Sequence, residues 1–161
     1  MSSSLHLDAL VKVVLNNLEN QQDWTDLQIY SDASRPRPLI SGLPPRRLYV
    51  HPDEQIEIIK AETTRGGERI PQPPEHEWIL PIHLAEKLSL SAFAAVFDSI
   101  EAIPPGAHAV EERDYGEEGA AQWMQWRGPK RGKRLLLATV QDDSTVVYYL
   151  MHDGIVKPRQ N

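Results

Sequence analysis

The stretch Leu135–Val156, LLLATVQDDSTVVYYLMHDGIV, decides the fold. Two runs rich in Leu, Val, Thr and Tyr flank the polar segment QDDS. β-Branched and aromatic residues suit a pleated surface, and Asp and Ser favour turns because their side chains bond nearby backbone. The pattern predicts a β-hairpin, with a turn at QDDS and a return strand from Thr145 to Leu150. In the first strand Leu135, Leu137 and Thr139 alternate with Leu136, Ala138 and Val140. Both faces are apolar, as in a central strand covered on both sides. Asp153-Gly154 marks a second turn, and IVKP a last short strand. The hairpin is either an ordinary piece of core or a surface built for another chain.

Upstream, Leu7, Leu10, Val11, Val14, Leu15 and Leu18 recur at three- and four-residue steps. They predict a helix over Leu5–Leu18, with Ser4 as its N-cap. WTDLQIY alternates as a strand, and LISGL is a short apolar segment broken by Pro44-Pro45. RRLYV and EQIEIIK read as strand pieces on either side of a break at His51-Pro52. WILPI predicts a strand limited by Pro81, and SLSAFAAVFDSI a second helix capped by Ser89 or Ser91. From Ala102 to Arg134 the periodicity is lost, so a flexible insertion is expected at about 102–130. Within it Trp123, Met124 and Trp126 either tuck back onto the core or meet a partner.

The 161 residues fit one domain, spanning 1–161. Apolar residues at 40% support one modest core, and charged residues at 25% match an ordinary soluble protein. With no cysteine, a disulfide framework, a thiolate metal site and a cysteine nucleophile are excluded. MSSSLHLDAL lacks a basic segment followed by an apolar core, so no signal peptide is expected, and no apolar run is long enough for membrane insertion. The net charge of -6 argues against strong unassisted binding to nucleic acid. The 13 prolines cluster at loop and strand-boundary positions.

General acid–base catalysis favours histidine, but the six histidines are scattered and none stands at metal-ligand spacing. There is no phosphate-binding glycine loop and no nucleophile elbow, so no catalytic residue, cofactor or metal is assigned. Arg127, Lys130, Arg131, Lys133 and Arg134 form a basic run. It is either a solvated loop offsetting EERDYGEE or a set of RNA phosphate contacts. On residues alone this is an α/β domain without a convincing active site.

KRLLLATVQDDSTVVYYLMHDGIVKPRQN resembles the end of the smallest, non-catalytic ("fifteen") subunit of the eukaryotic tRNA-splicing endonuclease in its fungal form. The DSTVVYY-x-x-x-DG core is the specific part. EWILPIHLAEKLSLSAFAAVFDSI, GLPPRRLYVHPDEQIEIIK and the leading helix with its QQDWTDL exit are similar to the same family. The resemblance implies a nuclease-type α/β domain of the tRNA-intron endonucleases, with a mixed sheet flanked by helices. It implies a heterotetramer of two catalytic and two structural chains that excises introns from precursor tRNA. The small subunit would pair with the catalytic chain that cuts the 3′ splice site, and would meet precursor tRNA through the complex. The complex would work in the nucleus, or in the cytoplasm at the mitochondrial outer surface as in some fungi.

Catalytic members use a Tyr, His and Lys trio to deprotonate the 2′-hydroxyl, protonate the leaving oxygen and stabilise the charged phosphorane. Lys133 falls near the place of the lysine, but Tyr115 and His108 do not match the rest of the pattern. The chain is therefore expected to be non-catalytic. The resemblance further implies that Thr145, Val146, Val147, Tyr148, Tyr149 and Leu150 pair with another chain's edge, and that Asp142 and Asp143 insert into a basic pocket of the opposite dimer. An isolated chain would be a candidate homodimer through the same strand. Two other readings stay open: a stand-alone ribonuclease using Lys133, and an interaction adaptor unrelated to RNA.

Overall fold

The computed structural model describes residues 2–105, 126–128 and 131–153. The chain order is α1 (Ser2–Asn20), β1 (Thr25–Tyr30), β2 (Leu39–Leu43), α2 (Pro52–Thr64), β3 (Glu77–His83), α3 (Leu90–Asp98), β4 (Arg134–Val140) and β5 (Val146–His152). The strands form one mixed sheet in the order β1-β2-β3-β4-β5. Only the β3–β4 pair is parallel, running from Ile79↔Leu136 to His83↔Val140.

The apolar alternation of β4 is answered by a layer on each face. Leu136, Ala138 and Val140 join Ile40 and Ile79 beneath the α1 stripe Leu10, Val11, Val14 and Leu18. Leu135 joins Leu39, Trp78, Leu80 and Ile82 beneath Val96 and Phe97 of α3, and Ile100 just past it. Period two on the strand and period 3.6 on the helices meet in the same cores. The α/β class with a mixed sheet and flanking helices is thus the observed one.

Three local readings change. The first helix begins at Ser2, so Ser4 sits inside it instead of capping it. RRLYV is irregular, and EQIEIIK lies within α2 instead of forming a strand. His51 caps that helix, its Nδ1 accepting from the Asp53 amide at 3.1 Å, with Pro52 in the first turn beside Asp53 and Glu54. A side-chain cap, an early proline and acidic residues near the positive end all favour a helix start. The alternation of isoleucines misleads because only Ile58 is buried, while Ile56 and Ile59 are about half exposed at 50% and 54%. Pro81 does not end its strand. β2 pairs with β3 only at residues 77–79, so a missing N–H beyond that point breaks no β2–β3 bond. Ser89 caps α3, accepting from the Ala92 amide. The short strand expected at IVKP, with Trp123 and Met124, lies outside the described residues.

Gly42 lets β1 and the turn before it close onto β2. A Cβ there would stand 2.6 Å from Leu27 Cδ2 and 3.1 Å from Trp24 Cε3. Gly42→Ala is expected to lower stability by about 1–3 kcal/mol through overpacking. Urea denaturation should show a lower midpoint with an unchanged slope.

Candidate subunit interface

The strand order leaves β5 at one edge of the sheet and β1 at the other. The two edges are built differently. β1 carries a register irregularity between Thr25 and Gln28, with Asp26 in the left-handed region at φ 52°. The Asp26 carboxylate bonds His76 Nε2 at 2.8 Å. A bulge and a charge on the strand discourage a further strand from pairing. β5 has neither device. Its seven residues, VVYYLMH, include no proline and no Asp, Glu, Lys or Arg, and it pairs with β4 without a break from Val146 to His152.

β5 is half-buried along most of its length. Val146, Tyr148 and Leu150 turn to the α1 side. The Tyr148 hydroxyl donates to Asn17 Oδ1 at 2.6 Å, and burial pushes its phenol pKa up, so it remains a neutral donor. Met151 turns to the α3 side. Tyr149 shares that parity but is 56% exposed. Thr145 closes the turn: its carbonyl accepts from the Gln141 amide at 2.8 Å, and its own amide donates to Asp143 Oδ1 at 3.0 Å. The Thr145 side chain and amide hold the Asp143 carboxyl below the usual range. Asp142 is 96% exposed at its side chain and receives a 3.0 Å hydrogen bond from His83 Nε2. The predicted interface residues and acidic turn therefore form one continuous border of the molecule.

The basic run divides sharply. Arg127, Arg131 and Arg134 are buried, among three buried glutamates. Glu54 binds Arg47 through both oxygens at 2.6 and 2.7 Å, and takes Arg127 Nε at 3.1 Å. Glu75 takes Arg131 at 2.9 Å and the Gly128 amide at 3.2 Å. Glu77 holds Arg134 at 2.9 and 2.6 Å. Burial pushes the Glu75 carboxyl up, but the Arg131 charge and hydrogen bond outweigh it and hold it below its ordinary value. The three arginines thus do internal work and are not a solvated loop. Trp126, next to Arg127, stacks on His51 with ring centres 5.4 Å apart, so this tryptophan does return to the domain. Lys130 lies outside the described residues.

Lys133 is also engaged. Its ammonium donates to the Phe97 carbonyl at 3.1 Å, at the C-terminal end of α3, where a cation meets the negative end of the helix dipole. Tyr115 and His108 lie outside the described residues. Among the described residues no group of His, Asp or Glu could hold a metal ion, and no helix is long and apolar enough to cross a membrane. Sequence reading missed Glu54, Glu75 and Glu77 as the arginines' partners and His83 as the partner of Asp142. Their separations, 56 to 73 residues for the hydrogen-bonded pairs, leave no local signal.

A profile of the family described as "Sen15 protein" matches residues 13–112 and 118–161. The chain is 65% identical over all of its 161 residues to "Probable tRNA-splicing endonuclease subunit tsp-1" of Neurospora crassa, covering 70% of that protein. It is 26% identical to "tRNA-splicing endonuclease subunit SEN15" of Eremothecium gossypii, over 96% of this chain and 93% of that one. It is 25% identical to "Probable tRNA-splicing endonuclease subunit sen15" of Schizosaccharomyces pombe, over 94% and 82%.

Removing one partner from a buried ion pair leaves a charge without compensation. Glu54→Ala, which strands Arg47 and Arg127, is expected to destabilise the fold by about 3–5 kcal/mol. Chemical denaturation measures this. Glu75 and Glu86 both have depressed carboxyl pKa values, Glu86 because Arg37 and the His83 amide overcome its burial. Their stabilisation is complete above pH 4.5, the ordinary glutamate value, and is lost as the pH falls through the depressed values. Melting temperature measured from pH 7 down to 3 should fall below that point, and Glu75→Gln should flatten the fall.

Proposed function

Because the chain belongs to the Sen15 family, we propose that it is the structural subunit of a heterotetrameric tRNA-splicing endonuclease that removes introns from precursor tRNA. It pairs through β5 with the catalytic chain that cuts the 3′ splice site. The observation that carries this reading is the β5 edge: regular, uncharged and unpaired on its outer side among the described residues, while β1 is bulged and bears a charge. A partner strand there satisfies the outward backbone groups of β5 and covers Tyr149. Asp142 and Asp143, at the end of the same border, dock into a basic pocket of the opposite pair and help hold the tetramer.

The chain is non-catalytic in this reading. Cleavage needs a base for the 2′-hydroxyl, an acid for the leaving oxygen and a cation for the phosphorane. Lys133 spends its ammonium on the end of α3. Arg127, Arg131 and Arg134 spend their charge on buried glutamates, so a phosphate contact would have to break those pairs. The chain therefore meets precursor tRNA through the complex. The assembly works in the nucleus, or at the mitochondrial outer surface, and a chain without its partner pairs with a second copy through β5.

Val146 and Tyr148 face α1, so charges there would disturb the fold itself. The informative double variant is Val147→Asp with Tyr149→Asp. The tagged wild-type chain is expected to bring down three partner chains from its host and to cleave an intron-containing precursor tRNA. The double variant should keep its melting transition but lose partners and cleavage, whereas Lys133→Ala in the assembled complex should leave the cleavage rate unchanged. Retention of all partners by the folded double variant, or loss of cleavage with intact assembly on Lys133→Ala, overturns the reading.

A further inference from the structure

We propose that His83 is the positioning residue for the acidic docking turn and that Leu84, beside it, is the apolar contact of the same docking tip. The proposal rests on the reading of Asp142 and Asp143 given above and adds the residues that shape their contact. The partner it fits is a protein groove on another subunit, with a basic rim for the carboxylates and an apolar floor for a leucine side chain.

The loop after β3 is closed on itself by bonds at every position. The His83 amide donates to Glu86 Oε1 at 2.9 Å, and the Glu86 amide returns to the His83 carbonyl at 3.0 Å. Arg37 clamps both Glu86 oxygens, at 2.6 and 3.1 Å. The Leu84 amide donates to the Val140 carbonyl at 2.9 Å, carrying the β3–β4 pairing one residue past the strand. The Leu84 side chain is nevertheless 61% exposed. An apolar side chain held outward on a backbone tied this firmly gives up little further backbone entropy when a partner covers it. Its carbonyl neighbour Val140 is the last residue before the acidic turn, which places Leu84 and Asp142 at the same end of the sheet.

His83 joins the two. Its Nδ1 accepts a hydrogen bond from the Ala85 amide at 3.0 Å. A nitrogen that accepts carries no proton, so in the neutral ring the proton is on Nε2. Nε2 faces Asp142 Oδ1 at 3.0 Å and donates to it. One histidine therefore fixes a tautomer from the rigid loop and aims a carboxylate on the hairpin turn. The turn adds its own restraint, since Ser144 stands in the left-handed region at φ 68° and its amide donates to the Gln141 carbonyl at 2.9 Å. A fixed carboxylate beside a fixed leucine is complementary to one groove geometry, and a charge aimed in advance raises both the rate and the specificity of association.

The test uses the assembly purified from its host through a tag on this chain. Native mass spectrometry at rising salt measures two steps separately: pairing through β5, and the joining of two pairs. Leu84→Asp, a surface change that leaves the core intact, and His83→Ala should each leave the first step alone and weaken the second about fivefold or more. Asp142→Asn should weaken the second step and reduce its salt dependence. His83→Ala should then have no further effect in the Asp142→Asn background, because the histidine acts through that carboxylate. Should Asp142→Asn with Asp143→Asn leave the joining of pairs untouched, the docking reading itself is wrong. Should that double change weaken joining while His83→Ala and Leu84→Asp do not, or should His83→Ala add fully to Asp142→Asn, docking stands and the role assigned to His83 and Leu84 is overturned.

Discussion

The pairing of Glu77 with Arg134 holds the first residues of the two central strands side by side. The parallel register of β3 on β4 joins residues 57 apart, and the ion pair repeats that offset, so it extends the register two residues beyond Ile79↔Leu136. Parallel strands cannot be joined by a tight turn and depend on such long-range fixing. Both side chains are buried, and Arg134 keeps its proton because the bonds and charge of Glu77 outweigh the penalty of burial. Glu75 and Arg131 add a second pair, and Glu54 with Arg47 and Arg127 carries the network out to α2. Each carboxylate in it has several donors, the condition under which a charge inside a protein is tolerated.

This network explains how a segment with so little periodicity before β4 is still tied to the domain. Arg127 and Arg131 fasten the approach to β4 onto α2 and onto the segment that enters β3, and Trp126 seats on His51, which itself starts α2. With the approach held in this way, β4 enters the sheet between β3 and β5, and β5 becomes the edge. The contrast between the two edges then follows from local chemistry. A bulge and Asp26 protect β1, while β5 continues the apolar alternation of β4 outward with no such defence. An edge without such a defence is the kind of surface on which a further strand can pair.

Lys133 shows why position in a sequence is weaker evidence than contact. It stands where the resemblance puts a catalytic lysine, but the structure puts its ammonium on a helix-end carbonyl. In the reading proposed above, a lysine held in this way takes no part in cleavage, which also needs a base and an acid.

The sequence by itself determined the elements that signal locally. Apolar steps of three and four marked α1 and α3, and alternation around QDDS marked the β4–β5 hairpin, because these patterns are carried by residues close in the chain. The α2 signals were also present at His51-Pro52-Asp53-Glu54, but competing isoleucine alternation concealed them until the cap and the burial of Ile58 were seen. β5 was legible as a strand, but its place at the edge of the sheet was not, since edge or centre depends on strand order. The fate of the basic run was decided only by the tertiary structure. An arginine in a loop looks the same whether it faces water, phosphate or a carboxylate, and here the carboxylates hydrogen-bonded to Arg127, Arg131 and Arg134 lie 56 or more residues away. Long-range electrostatic pairing, unlike periodicity, leaves no trace in the order of neighbouring residues.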